Sequence, residues 1–147
     1  MELASTDFEA KGIIPARCGC DGDDQPPELH WSGIPDDAVE LAIICEDVDA
    51  PGGTFVHWVL WAVDPATTGV GPDHPVKGGV EGVNDFENIG YGGPCPPPGH
   101  GYHHYHFRLY ALSDHVDLPA GAAVNELRRA MAGKMVAEAE LVGIYSR

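Results

Sequence analysis

Apolar positions in this chain come in short runs separated by turn residues, and the runs differ in period. Three of them, Glu40–Glu46 (ELAIICE), Phe55–Val63 (FVHWVLWAV) and His103–Leu112 (HHYHFRLYAL), are rich in Val, Ile, Trp and Tyr and have strand length. Two are apolar on both faces, which predicts central strands covered from each side. Strict alternation puts Phe55, His57, Val59 and Trp61 on one face, with Val56, Trp58 and Leu60 on the other. It likewise groups His103, Tyr105 and Phe107 against His104, His106 and Arg108. Val124, Leu127, Met131 and Met135 follow helical spacing, so a helix is expected there, kinked or broken at Gly133. Glu140–Tyr145 (ELVGIY) alternates enough to return as a strand.

The 19 Gly and 13 Pro punctuate the chain densely, as in a strand-and-loop protein rather than a helical bundle. No repeat, interdomain linker or heptad pattern occurs. The expected architecture is therefore mostly β: an antiparallel β-sandwich with one or two peripheral helices, residues 1–147 forming one domain.

Charge narrows the partners. With 8 Lys+Arg against 23 Asp+Glu, the formal net charge is −15, and Arg128–Arg129 is the one cluster of basic side chains. Such a surface repels nucleic-acid backbones and anionic membranes at long range, so neither is expected as a bulk partner. An acid excess with only three lysines also suits a high-salt interior, where screening weakens self-repulsion. No basic segment followed by an apolar run opens the chain, and no stretch approaches the roughly 20 apolar residues of a membrane span. A cytoplasmic location is expected, and with it four free thiols at Cys18, Cys20, Cys45 and Cys95.

Three polar constellations stand at strand ends or in loops. In Glu46-Asp47-Val48-Asp49-Ala50-Pro51, Asp49 reads as a turn cap, while Asp47, nearest the buried strand, needs a partner. His57 lies inside an apolar run and also needs partners; a satisfied core histidine is the plain alternative to a functional one. The third is Gly90-Tyr91-Gly92-Gly93-Pro94-Cys95-Pro96-Pro97-Pro98, both open and stiff, leading into a strand whose His103 and Tyr105 could face a pocket. If His57 converges with them, two imidazoles and a phenol would offer donors to a small anion, with Asp47 orienting one imidazole. His104 and His106 read as a solvated face.

These motifs, in this order, resemble the phosphatidylethanolamine-binding proteins, also called Raf kinase inhibitor-like proteins, in their short bacterial and archaeal branch. The resemblance covers essentially the whole chain. It is carried by Ile14-Pro15-Ala16-Arg17, Cys20-Asp21-Gly22, Leu29-His30-Trp31-Ser32-Gly33-Ile34-Pro35, Asp47-Val48-Asp49-Ala50-Pro51 and Val56-His57-Trp58. Asn84-Asp85, Gly90 through Pro97, His103-His104-Tyr105 and Gly143-Ile144-Tyr145 complete it. It implies a Greek-key sandwich with a small pocket for phosphate, acetate or a phosphorylated headgroup. The implied binding residues are Asp47, His57, Gly93, Pro94, Pro96, Pro97, His103 and Tyr105. Three departures stand out: His104 where the family usually has Arg, Val48 where it has Pro, and an end at Arg147 without the C-terminal helix of eukaryotic members.

The function expected on these grounds is non-enzymatic binding of a small anionic ligand, with modulation of a kinase or other protein partner. No cofactor and no functional metal is implied. A small hydrolase using Cys95 or Cys45 with a histidine base is a competing reading, although no nucleophile-elbow motif supports it. A metal site built from His100, His103, His104 and His106 is another, weakened because alternation splits those histidines between two faces. A homodimer through exposed sandwich edges is compatible with the sequence.

Overall fold

The computed structural model describes residues 1–147 except 75 and 77. Eight strands and one α-helix follow in the order β1 (Glu2–Ser5), β2 (Leu29–Ser32), β3 (Glu40–Asp47), β4 (Phe55–Val63), β5 (Gly69–Val70), β6 (Val80–Glu81), β7 (His103–Leu112), α1 (Val124–Met131) and β8 (Met135–Tyr145). They form a three-stranded sheet, β1-β2-β5, and a five-stranded one, β6-β4-β3-β7-β8; the paired strands are antiparallel. β3 pairs with β4 on one side and with β7 on the other, so the chain leaves β4 and returns across β3 to lay down β7.

Two apolar clusters explain why the middles of β3 and β4 are apolar on both faces. Between the sheets, Leu3, Leu29, Trp31 and Val70 meet Leu41, Ile43, Trp58, Leu60, Phe107 and Leu109. On the outer face of the large sheet, Ala42, Ile44, Val59, Trp61 and Leu112 are covered by Leu127 and Met131 of the helix. A strand covered on both faces has no solvent side on which polar residues would be favoured.

The structure corrects the sequence expectations in three places. Among the described residues a single α-helix forms; Gly133, at φ +79°, breaks it as expected, but it ends at Met131, so Met135 is not the last residue of the helical stripe but the first of β8, half exposed. The final strand accordingly starts at Met135 rather than Glu140. In β4 the alternation is interrupted twice. Cys45 pairs with Trp58 but Glu46 with Val56, and Ile43 pairs with Leu60 but Leu41 with Val63. Each step inserts extra β4 residues opposite β3, as a β-bulge does.

Candidate functional site

Register brings the first and third constellations together. The end of β3 lies beside the start of β7, with Asp47 opposite Tyr105. Asp47 Oδ2 accepts a 2.6 Å hydrogen bond from His103 Nδ1, and Asp47 Oδ1 accepts one of 2.8 Å from the backbone N–H of Asp49. The turn after β3 is thus fastened by the carboxylate expected to need a partner. Asp49, expected to cap that turn, instead accepts from the backbone and ring nitrogens of His104, each at 2.7 Å. Those bonds, His104 first among them, hold the Asp49 carboxyl below its ordinary range. The half-exposed His104 is thus tied to the turn after β3 through Asp49. His106 Nδ1 lies 3.1 Å from Glu140 Oε2 but is not aligned for a hydrogen bond.

His57 reaches the same place through a bulge. Val56, Val59 and Trp61 face the helix, whereas Trp58, Leu60 and Val63 face the small sheet. The extra residue opposite Cys45–Glu46 turns His57 away from Val59 and Trp61, the face strict alternation gave it. Its ring meets that of Tyr105 edge-on, with centroids 5.2 Å apart. His57 Nδ1 donates to Gly92 O at 2.6 Å, and Gly92 N–H donates back to His57 O at 2.9 Å. Burial lowers the imidazole's pKa, more than the Gly92 bond and the nearby Asp47, Asp24 and Asp85 charges raise it, so the ring is held neutral.

A cavity of about 190 Å³ is lined by Asp47, His57, Pro96, Pro97, His103 and Tyr105, all anticipated from the sequence. Cys95, within the loop the resemblance pointed to, and Phe55, Phe86, Ala50 and Pro51 complete the wall; these last four were not anticipated as binding residues. Phe86 could have been suspected from the adjoining Asn84-Asp85 motif, because Asn84 folds that loop. Its side-chain oxygen accepts from the N–H groups of Phe86 and Asn88, and its amide donates to Gly90 O. Asp85 accepts from Val56 N–H and fixes the loop to β4.

Gly93 and Pro94, by contrast, do not line the cavity. Gly93 N–H donates to Asp24 at 2.7 Å, and a Cβ there would sit 1.9 Å from Cys18 O. Pro94 O accepts from Cys20 N–H. Both residues press the glycine–proline loop onto the 16–24 segment, and a Cys20–Cys95 disulfide joins the two. The expectation of four free thiols is thus corrected: Cys18 and Cys45 alone are free, and both are buried. Pairing across 75 residues depends on the fold and leaves no trace in local spacing. It also removes the proposed nucleophile at Cys95. Burial raises the thiol pKa of Cys45 strongly and that of Cys18 to about 11, so neither is a ready thiolate.

One further residue emerges from the geometry. His100 Nδ1 lies 2.6 Å from His103 Nε2, so both ring nitrogens of His103 are engaged. Tyr105 is different. The residue is 1% exposed, its hydroxyl is within hydrogen-bond geometry of no group among the described residues, and burial, then the Asp47 charge and a weaker contact with the same carboxylate, push its pKa upward, keeping the O–H intact. No group of three or more His, Cys, Asp or Glu placed to hold a metal ion occurs among the described residues, and no described helix is long and apolar enough to cross a membrane.

Comparison with known proteins agrees with this architecture. The family model described as phosphatidylethanolamine-binding protein matches residues 4–146. A UPF0098 protein of Methanothermobacter thermautotrophicus is 43% identical over 152 aligned positions, covering 100% of this chain and 99% of the relative. The crystal structure of a putative phosphatidylethanolamine-binding protein homolog from Chlamydia trachomatis superposes with a TM-score of 0.93 at 32% identity, covering 99% of this chain and 97% of that one. E. coli YbcL, described as a new member of the mammalian PEBP family, superposes with a TM-score of 0.90 at 26% identity, covering 99% and 98%. With sequence and fold in agreement from end to end, this chain belongs to the phosphatidylethanolamine-binding protein family.

Proposed function

We propose that this protein binds a small oxyanion, phosphate or a phosphorylated headgroup or ligand, in the cavity between the end of β3 and the start of β7, and that it does so without catalysing a reaction. The observation that carries this reading is the Tyr105 hydroxyl: a buried O–H with no hydrogen-bond partner among the described residues, in a side chain on the wall of a cavity. A polar group buried without a partner costs about 1–3 kcal/mol, and a ligand oxygen would recover that. The size is in keeping. A volume of about 190 Å³ equals that of some six water molecules, enough for an oxyanion with a short substituent and less than a drug-sized pocket.

No nucleophile stands at the cavity to support hydrolysis. Cys95 is disulfide-bonded, and neither Ser, Thr nor Lys lines the wall. A binding module fits better, and a protein partner would be regulated through occupancy of the same cavity. Calorimetric titration with inorganic phosphate tests the reading on the intact protein and on Tyr105→Phe, which removes one oxygen. Loss of one hydrogen bond to an anion predicts a roughly tenfold weaker Kd. Equal affinity in the two proteins removes Tyr105 from the site, and no binding in either removes the function.

A further inference from the structure

Counting the polar atoms that face the cavity says more about the ligand than its charge. The Gly92 carbonyl oxygen can only accept, so the hydrogen of the neutral His57 ring is on Nδ1. His57 Nε2 is then a bare lone pair, and among the described residues the ring's one hydrogen bond is the Nδ1 bond to Gly92. His103 has nothing left to offer, with Nδ1 held by Asp47 and Nε2 by His100. Cys95 is bonded to Cys20. Pro51, Pro96 and Pro97 have no N–H, and the rest of the wall is Phe55, Phe86 and Ala50, with no Lys or Arg side chain. Besides the Asp47 carboxylate, which can only accept, two side-chain groups remain: one that donates, the Tyr105 hydroxyl, and one that accepts, His57 Nε2.

The neutral ring is part of its setting. Burial among the uncharged rings of Phe55, Phe86 and Tyr105 favours the neutral imidazole and outweighs the opposing pull of the Asp47, Asp24 and Asp85 charges. A fully deprotonated oxyanion would meet the Nε2 lone pair with lone pairs of its own, close to the Asp47 carboxylate and with no cation to offset the charge.

We propose that the ligand brings its own proton: the cavity selects a partly protonated oxyanion, such as dihydrogen phosphate or the monoanion of a phosphomonoester, whose O–H donates to His57 Nε2 while another of its oxygens accepts from Tyr105. This rests on the anion-binding reading above and specifies its ligand. Sulfate has the same shape and no proton at neutral pH, which makes it the discriminating probe. A site built to accept from an O–H rejects the analogue that lacks one, so inorganic phosphate binds at least about tenfold more tightly than sulfate at neutral pH.

The test is calorimetric titration of the intact protein with inorganic phosphate, sulfate and methylammonium, together with nitrogen NMR of the histidine rings. The expected result is phosphate preferred over sulfate, with His57 Nδ1 protonated and Nε2 unprotonated in the complex. Equal binding of phosphate and sulfate, or a His57 ring carrying both protons in the complex, overturns the inference and leaves anion binding standing. Failure of both anions, or methylammonium binding in their place, overturns the two together. His57→Gln adds an amide donor at the same position, so the preference for phosphate over sulfate is expected to collapse in that variant.

Discussion

At the residue scale, four side chains chosen from the sequence, Asp47, His57, His103 and Tyr105, surround one cavity. Their types were legible because a carboxylate, an imidazole or a phenol in an otherwise buried run must find a partner. Their hydrogen-bonding roles were legible only in part. Asp47 orients one imidazole, that of His103, as expected, but the bond that engages His57 Nδ1 with Gly92 depends on how distant segments meet and was not foreseen. The depressed basicity of His57 has a consequence for stability. Its folded-state pKa lies below that of the unfolded chain, about 6.5, so between those two values the unfolded state binds more protons. Stability contributed by the neutral ring is complete above the unfolded value and is lost as the pH falls toward the folded one. Thermal melts across mildly acidic pH should show this loss in the native protein and a shallower one in His57→Gln, which has no titrating group there.

At the element scale, the apolar runs were enough to locate β3, β4 and β7 and the start of α1. Alternation failed inside β4, because hydrophobicity does not distinguish a regular strand from a bulged one when both faces are buried. The bulge at His57 is what puts an imidazole on the Tyr105 side. The second bulge, near the end of β4, places Ala62 at φ +58°, a conformation in which a Cβ crowds the following carbonyl. Ala62→Gly relieves that crowding but frees the unfolded chain, leaving a net stabilisation of about 0.5 kcal/mol. A small rise in melting temperature would show it; a fall would mean that the Ala62 methyl group contributes more by packing than it costs in strain.

At the scale of the whole molecule, the disulfide is the feature least accessible to sequence reasoning, since Cys20 and Cys95 meet only once the 16–24 segment and the glycine–proline loop are docked. A cross-link of that span restricts the unfolded chain, and reducing it should cost about 3–4 kcal/mol. Melting with and without a thiol reductant tests this: the native protein should lose stability on reduction, while Cys20→Ser starts lower and does not respond. Such bonds endure in oxidising compartments and in hyperthermophile cells, so the cross-link does not support the cytoplasmic expectation drawn for an ordinary reducing cytosol.

The same bond divides the molecule in a way the sheets do not. Residues 20–95 form a covalent ring that includes β2 through β6, and with them Asp47 and His57; β7, α1 and β8 form an open tail that contributes His103 and Tyr105. The cavity lies on the seam between ring and tail, so it exists only while the tail is docked, and whatever occupies it spans the two.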